Sequence, residues 1–231
     1  MITFEGESIL QAVKQVYYEL VPGNLRPFDQ ELELEDSATI VLLPPSAPIV
    51  EAAQLIRGKL CYEFQYEKFF PFANDIPTPT GQDIIAYEMG YWNEDLIDPC
   101  EEAPEGRLRH IAELLRQKAS SRRAVINFWR PCHEQSATAP CVTHIVFRVK
   151  NDFLEMHAHL RTNDITFLLF MDMQVLSAIH EIAAGWLGLK KGTYVHFVDS
   201  LHFHKKYRPL VQKQYKFIFD STEWSGIRGQ A

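Results

Sequence analysis

No two of the four cysteines, Cys61, Cys100, Cys132 and Cys141, stand in a Cys-x-x-Cys spacing, which excludes the usual frames for structural zinc and for a redox dithiol. Free thiols in a reducing compartment are expected instead. Two short clusters, Cys132-His133 and His202-x-His204, offer ligand-type side chains, but neither spacing repeats and no metal is predicted. No run of Lys or Arg is longer than two residues and the net charge is −7. A surface that tracks nucleic-acid phosphates is therefore not expected, whereas a small anion held by a few arginines is compatible with this balance. No apolar run reaches the roughly 20 residues that cross a bilayer, and Met1 to Glu7 carry neither the basic start nor the apolar core of a signal peptide. A soluble, cytoplasmic protein with no membrane partner is the expectation. Internal repeats, low-complexity tracts and linkers are likewise absent, so residues 1–231 are read as a single domain.

What is there is ample core material, with 46% hydrophobic residues, patterned as an α/β or α+β domain. Ile9, Ala12, Val13, Val16, Tyr17 and Leu20 share one stripe at helical spacing, stopped by Val21-Pro22-Gly23. Leu32 and Leu34 alternate as in a half-exposed strand, Asp36-Ser37 reads as a turn, and Ala38 to Leu43 as a buried strand. Ser46-Ala47-Pro48 then opens a helix that runs to Arg57-Gly58. Glu51, in its first turn, is either a helix-dipole residue or a partly buried acid suited to proton transfer. The aromatic-rich stretch from Lys59 to Pro104 reads as a surface excursion that packs its own rings. Helical spacing resumes from Gly106 to Ser120, and a strand follows from Ala124 to Trp129. Between them, Arg122 and Arg123 form either a solvated corner or a phosphate-binding pair, because paired guanidinium donors match an anion's oxygens.

The densest chemistry lies from Ala139 to Asp172. Val142 to Val149 and Phe153 to Leu160 read as strands joined by the turn Lys150-Asn151-Asp152. Antiparallel pairing then brings Cys141, which precedes one strand, and Arg161, which follows its partner, to the same end of the hairpin. An arginine beside a thiol favours the thiolate, the nucleophilic form. Met171 to Leu187 has the spacing of a long helix, and Asp172 at its start reads locally as an N-cap. Tyr194 to Val198 is predicted as a strand leading to His202 and His204, and Val211 to Phe219 as a last strand.

Taken together, Ala139-Pro140-Cys141, Arg161-Thr162-Asn163-Asp164, Asp172 and His202 resemble the active-site ladder of the thymidylate synthase family, with matching separations among the cysteine, the arginine, the base-reading residue and the histidine. Arg122-Arg123 resembles the family's phosphate-binding pair, contributed by the second subunit of a homodimer. Glu51 resembles its catalytic glutamate. The resemblance implies a mixed sheet with helices on one face and dimerisation through the other. It also implies a pyrimidine nucleoside monophosphate as substrate and 5,10-methylenetetrahydrofolate as one-carbon donor. Cys141, Glu51 and Asp164 become the catalytic set. Arg161, Thr162, Arg122, Arg123, Asp172, His202 and His204 become the substrate-binding set, His204 standing where a sugar-binding tyrosine is usual. Uracil-using synthases carry asparagine at the position of Asp172, whereas the family's cytidylate hydroxymethylases carry aspartate. The implied reaction is therefore hydroxymethylation of CMP or dCMP at carbon 5, with methylation of a uridylate as the alternative and a non-catalytic nucleotide-binding relative as a second.

Overall fold

A computed structural model describes residues 1–20, 32–44, 107–135, 139–166 and 168–220. The predicted helix at 46–57 with Glu51, the aromatic excursion, Cys61 and Cys100 lie outside the described residues. Within them the chain runs β1 (Ile2–Gly6), α1 (Ile9–Leu20), β2 (Leu32–Leu42), α2 (Arg107–Gln117), β3 (Val125–Asn127), a short 3-10 turn (Pro131–Gln135), β4 (Val142–Lys150), β5 (Phe153–Leu160), β6 (Asn163–Asp164), α3 (Leu168–Leu187), β7 (Lys190–His204), a second 3-10 turn (Lys205–Tyr207) and α4 (Arg208–Asp220).

The strands form one mixed sheet in the order β1-β2-β7-β5-β4-β3, with β6 also paired to β7. β7 is its spine, antiparallel to β2 and parallel to β5 and β6. The predicted turn at Asp36-Ser37 is instead a register shift inside the continuous strand β2. A bulge absorbs the polar pair without ending the ladder. The predicted hairpin is present, with Lys150 opposite Phe153 and Asn151 at a φ of 54°, the left-handed conformation that asparagine tolerates in a two-residue loop.

Alternation along the strands separates two faces. Leu154, Met156, Ala158 and Leu160 of β5 are buried, whereas His157 and His159 between them are half-buried. Helices α1, α2 and α3 pack on the sheet, and α3 touches both of the others. Leu108, Ile111, Ala112 and Leu115 form the buried stripe of α2. By length and composition α3 could cross a membrane, but most of it is buried within the fold, the setting of a core helix. It ends at Gly188, with a φ of 67°, where Leu189 N–H returns to Ala184 O at 3.0 Å.

Two further predicted elements are corrected. The chain from Val211 to Phe219 is helix, not strand. Among its described side chains Leu210, Val211 and Gln214 are buried, a three-and-four spacing that only a helix presents to one side, and Pro209 sits in the first turn, where its missing N–H costs nothing. Asp172 does not cap α3. The helix begins four residues earlier, at Leu168, which leaves Asp172 in its second turn and 2% exposed.

Gly192 lies where the register between β5 and β7 shifts, and a Cβ there would stand 2.6 Å from Leu154 O. Gly192→Ala is expected to cost about 1–3 kcal/mol by forcing the strands apart, lowering the thermal midpoint by roughly 2–10 °C. A melt followed by circular dichroism checks it.

Candidate functional site

The end of the β4–β5 hairpin brings Cys141 and Arg161 together, as their spacing predicts. Arg161 N–H donates to Cys141 O at 3.0 Å. The guanidinium turns back along the preceding segment, Nε donating to Pro140 O at 3.0 Å and Nη2 to Ala139 O at 2.9 Å. It also lies over the Trp129 ring, 5.5 Å from the centroid. These contacts hold Ala139-Pro140-Cys141 in one conformation, and the remaining exposed edge of the arginine faces outward as a cation. Cys141 is buried and outside any disulfide.

Cys141 opens on a cavity of about 320 Å³, lined also by Thr162 and Asp164, by Leu168 from the first turn of α3, by His202 and His204 at the end of β7, and by Lys206 and Tyr207 just beyond it. β6 creates this grouping. Its parallel register sets Asp164 opposite His202, so a two-residue strand carries the carboxylate to the histidines. Thr162 Oγ1 lies 3.1 Å from His202 Nδ1. Thr166 N–H donates to Asp164 Oδ1 at 2.6 Å, an Asx-type turn that satisfies the amide ahead of α3. Burial pushes the Asp164 carboxyl up, against the opposing pull of His202, the Thr166 hydrogen bonds and His204.

Beneath the cavity, α1 and α4 are pinned to the same loop. The Tyr17 hydroxyl lies 2.8 Å from Ile165 O and 2.9 Å from Gln214 Oε1, and Gln214 Nε2 donates to Thr166 O at 2.7 Å. Burial, then the charge of Asp164, raise the Tyr17 phenol well above its usual range. Tyr17 was legible only as a core residue. The signal was its hydroxyl within an apolar stripe, which must find a partner when buried. Lys206 and Tyr207 were missed because β7 extends to His204 rather than ending at Val198.

The other predicted residues are placed differently. Asp172 does not line the cavity, but it follows Leu168 by four residues and so occupies the same face of α3 one turn deeper. Arg122 and Arg123 are exposed in the segment before β3. β3 pairs with β4 as Val125 with Val146 and Asn127 with His144. Continuing that register sets Arg123 opposite Arg148, about 23 Å along β4 from Cys141. Within one chain, the pair and the cavity are at opposite ends of the strand.

A second polar cluster supports the site from the core. Asn163 Nδ2 lies 3.1 Å from His196 Nε2, and His196 Nδ1 lies 2.7 Å from Tyr194 Oη. His180 Nε2 donates to Leu154 O at 2.6 Å. Burial lowers both imidazoles to about 3. They are neutral in the folded chain, whereas the unfolded chain takes up protons below about pH 6.5. Stability present above that pH is therefore lost as pH falls toward 3, on the order of 1 kcal/mol per pH unit for each histidine. Urea midpoints measured across this range are expected to fall on acidification, with a shallower slope in His196→Asn.

A family model described as thymidylate synthase matches residues 81–218. The chain is 27% identical over 145 residues to a deoxyuridylate hydroxymethyltransferase of Bacillus phage SP01, covering 58% of this chain and 38% of that protein. It is 27% identical over 99 residues to a thymidylate synthase of Haloferax volcanii, covering 42% of this chain and 29% of that one. It is 28% identical over 117 residues to a putative thymidylate synthase of Methanocaldococcus jannaschii, covering 45% of this chain and 53% of that one. The chain thus spans from about a third to half of the length of these relatives.

Proposed function

The chain belongs to the thymidylate synthase family, and from that premise we propose that it transfers a one-carbon unit from methylenetetrahydrofolate to carbon 5 of a pyrimidine nucleoside monophosphate, hydroxymethylating CMP or dCMP. The observation that carries the chemistry is the buried Cys141, held through its own backbone by Arg161 and opening on a cavity with Asp164, His202 and His204. A pyrimidine ring is a poor carbon nucleophile, and thiolate addition from Cys141 to ring carbon 6 makes carbon 5 carbanion-like. Arg161 holds the substrate phosphate with its outward donors, and Thr162, His202 and His204 hold the sugar. Glu51 relays the proton leaving carbon 5.

Leu168, Tyr207 and Asp164 suit the folate ring: an apolar side chain and an aromatic one beside a carboxyl held toward its neutral form, which can donate to a ring nitrogen. When bound there, methylenetetrahydrofolate supplies the electrophilic methylene. Carbon 5 would gain that methylene and lose its proton, tetrahydrofolate would leave, and addition of water to the methylene would expel the Cys141 thiolate from carbon 6, releasing the hydroxymethylated nucleotide and restoring the free thiolate. Arg122 and Arg123 come from a second copy docked through the sheet. Their distance from the cavity within one chain supports a shared site.

Cytosine rests on Asp172. A carboxyl accepts from the exocyclic amine of cytosine, which uracil lacks. A second reading, hydroxymethylation of a uracil nucleotide, is favoured by the name of the phage relative. Incubation with CMP, dCMP and dUMP plus methylenetetrahydrofolate, with product masses read, tests both. The expected result is one CH2O unit gained by a cytosine nucleotide. The same gain on dUMP alone supports the second reading, and a methyl gain on dUMP overturns both.

A further inference from the structure

β6 is a strand of two residues whose side chains face different surroundings. Asp164 pairs with the half-buried His202 and lines the cavity, whereas Asn163 pairs with the buried Leu201 and turns into the core. There Asn163, His196 and Tyr194 are fully buried and joined in one file, with Asn163 Nδ2 3.1 Å from His196 Nε2 and His196 Nδ1 2.7 Å from Tyr194 Oη. None of the three lines the cavity. We propose that His196 is a positioning residue: through Asn163 it locks β6 and so fixes Asp164 at the cavity wall for the transfer.

Hydrogen-bond chemistry sets the direction of the file. An amide nitrogen only donates, so His196 Nε2 accepts from Asn163, and His196 Nδ1 carries the proton that it donates to Tyr194. A protonated ring would lose the lone pair that receives Asn163, and burial disfavours that form. The ring also starts from a fixed backbone. His196 stands on β7 between Ile40 of β2 and Ala158 of β5, and a hydrogen bond in so dry an interior holds its partner strongly.

Two residues give a strand few ladder bonds of its own. Upstream, Arg161 is held separately, by the carbonyls of Ala139, Pro140 and Cys141. Downstream, Thr166 N–H donates to Asp164 Oδ1 and Ile165 N–H to His202 O, so these bonds stay close to the segment they support. The Asn163–His196 bond ties that segment to the middle of the sheet. Displacing a reacting group by about 1 Å can cost roughly a hundredfold in rate. Nucleotide binding rests on Arg161, so loss of the anchor falls on turnover. The inference rests on the transferase reading for what Asp164 does at the cavity.

Two substitutions separate the ends of the file. Asparagine reaches only the place of a histidine's Nδ1, whereas glutamine reaches that of Nε2, so His196→Asn keeps the Tyr194 end and His196→Gln keeps the Asn163 end. A merely structural role would treat these two buried amides alike. With a cytosine nucleotide and methylenetetrahydrofolate, His196→Asn is expected to lower kcat about tenfold or more with nucleotide KM within about threefold of native, and His196→Gln to stay near native. Asn163→Ala should lower kcat by the same factor as His196→Asn, and combining the two should lower it no further. Amide hydrogen exchange of Ile165 and Thr166 in the ligand-free chain reads the anchor without turnover, and should quicken about tenfold or more in His196→Asn but not in His196→Gln. If the native chain turns over no nucleotide, the transferase reading fails, while the exchange rates still decide whether His196 holds β6. Should His196→Asn fail to fold, as its melt would reveal, Asn163→Ala carries the test through the same two measurements. Equal kcat in His196→Asn and His196→Gln, a loss carried by KM, additive losses in the double variant, or unchanged exchange in His196→Asn would each overturn the proposal.

Discussion

Cys141→Ala is expected to lower kcat/KM for product formation by roughly three orders of magnitude or more, the scale on which losing a nucleophile acts, with nucleotide affinity changed far less. The geometry gives the reason for that split. Arg161 grips the segment through the carbonyls of Ala139, Pro140 and Cys141, and none of these bonds uses the side chain at position 141. Removing the sulfur therefore leaves Arg161, the residue proposed to hold the phosphate, where it is. The step that disappears is the proposed covalent route through carbon 6. Turnover by product analysis and nucleotide binding by calorimetry separate the two effects. Retained turnover, or equal losses in binding and turnover, would contradict the role given to Cys141.

Asp172→Asn is expected to move base preference from cytosine toward uracil by about ten- to a hundredfold in the ratio of kcat/KM values, because a mismatched buried polar group costs about 1–3 kcal/mol. Asp172 is 2% exposed in the second turn of α3, directly behind Leu168 at the cavity wall. Water cannot easily replace a lost partner there. The substitution exchanges an acceptor for a donor while keeping the shape, so the fold should be little affected. Competition between dCMP and dUMP in one vessel, with both products measured, reads the ratio directly. An unchanged ratio would assign base reading to another residue.

The sequence made the hairpin legible because two alternating strands flank a tight turn, and the meeting of Cys141 with Arg161 followed from that pairing alone. It left the start of α3 obscure. Leu168-Leu169-Phe170 carry no polar face to set a period, since this part of the helix is buried nearly all round, and Asp172 was the first residue to look like a cap. The α4 segment misled for a different reason. Val211, Tyr215, Phe217 and Phe219 share one strand parity, with Gln212, Gln214 and Lys216 on the other, close to the local pattern of a strand. Long-range contacts decided otherwise, as Gln214 reaches Thr166 and Tyr17. Such partners lie 48 and 197 residues away along the chain, beyond the reach of any local periodicity. The grouping of Asp164 with His202 and His204 was hidden in the same way, because a two-residue strand has no sequence signature.

The claim at the centre of this account is that Cys141 activates carbon 5 of a pyrimidine nucleotide. Release of tritium from carbon-5-labelled dCMP, CMP and dUMP measures that step before the fate of the methylene matters. The account predicts release from a cytosine nucleotide by the native chain with methylenetetrahydrofolate, and none by Cys141→Ala. Release that persists in Cys141→Ala, or its absence from all three nucleotides with the native chain, would contradict it.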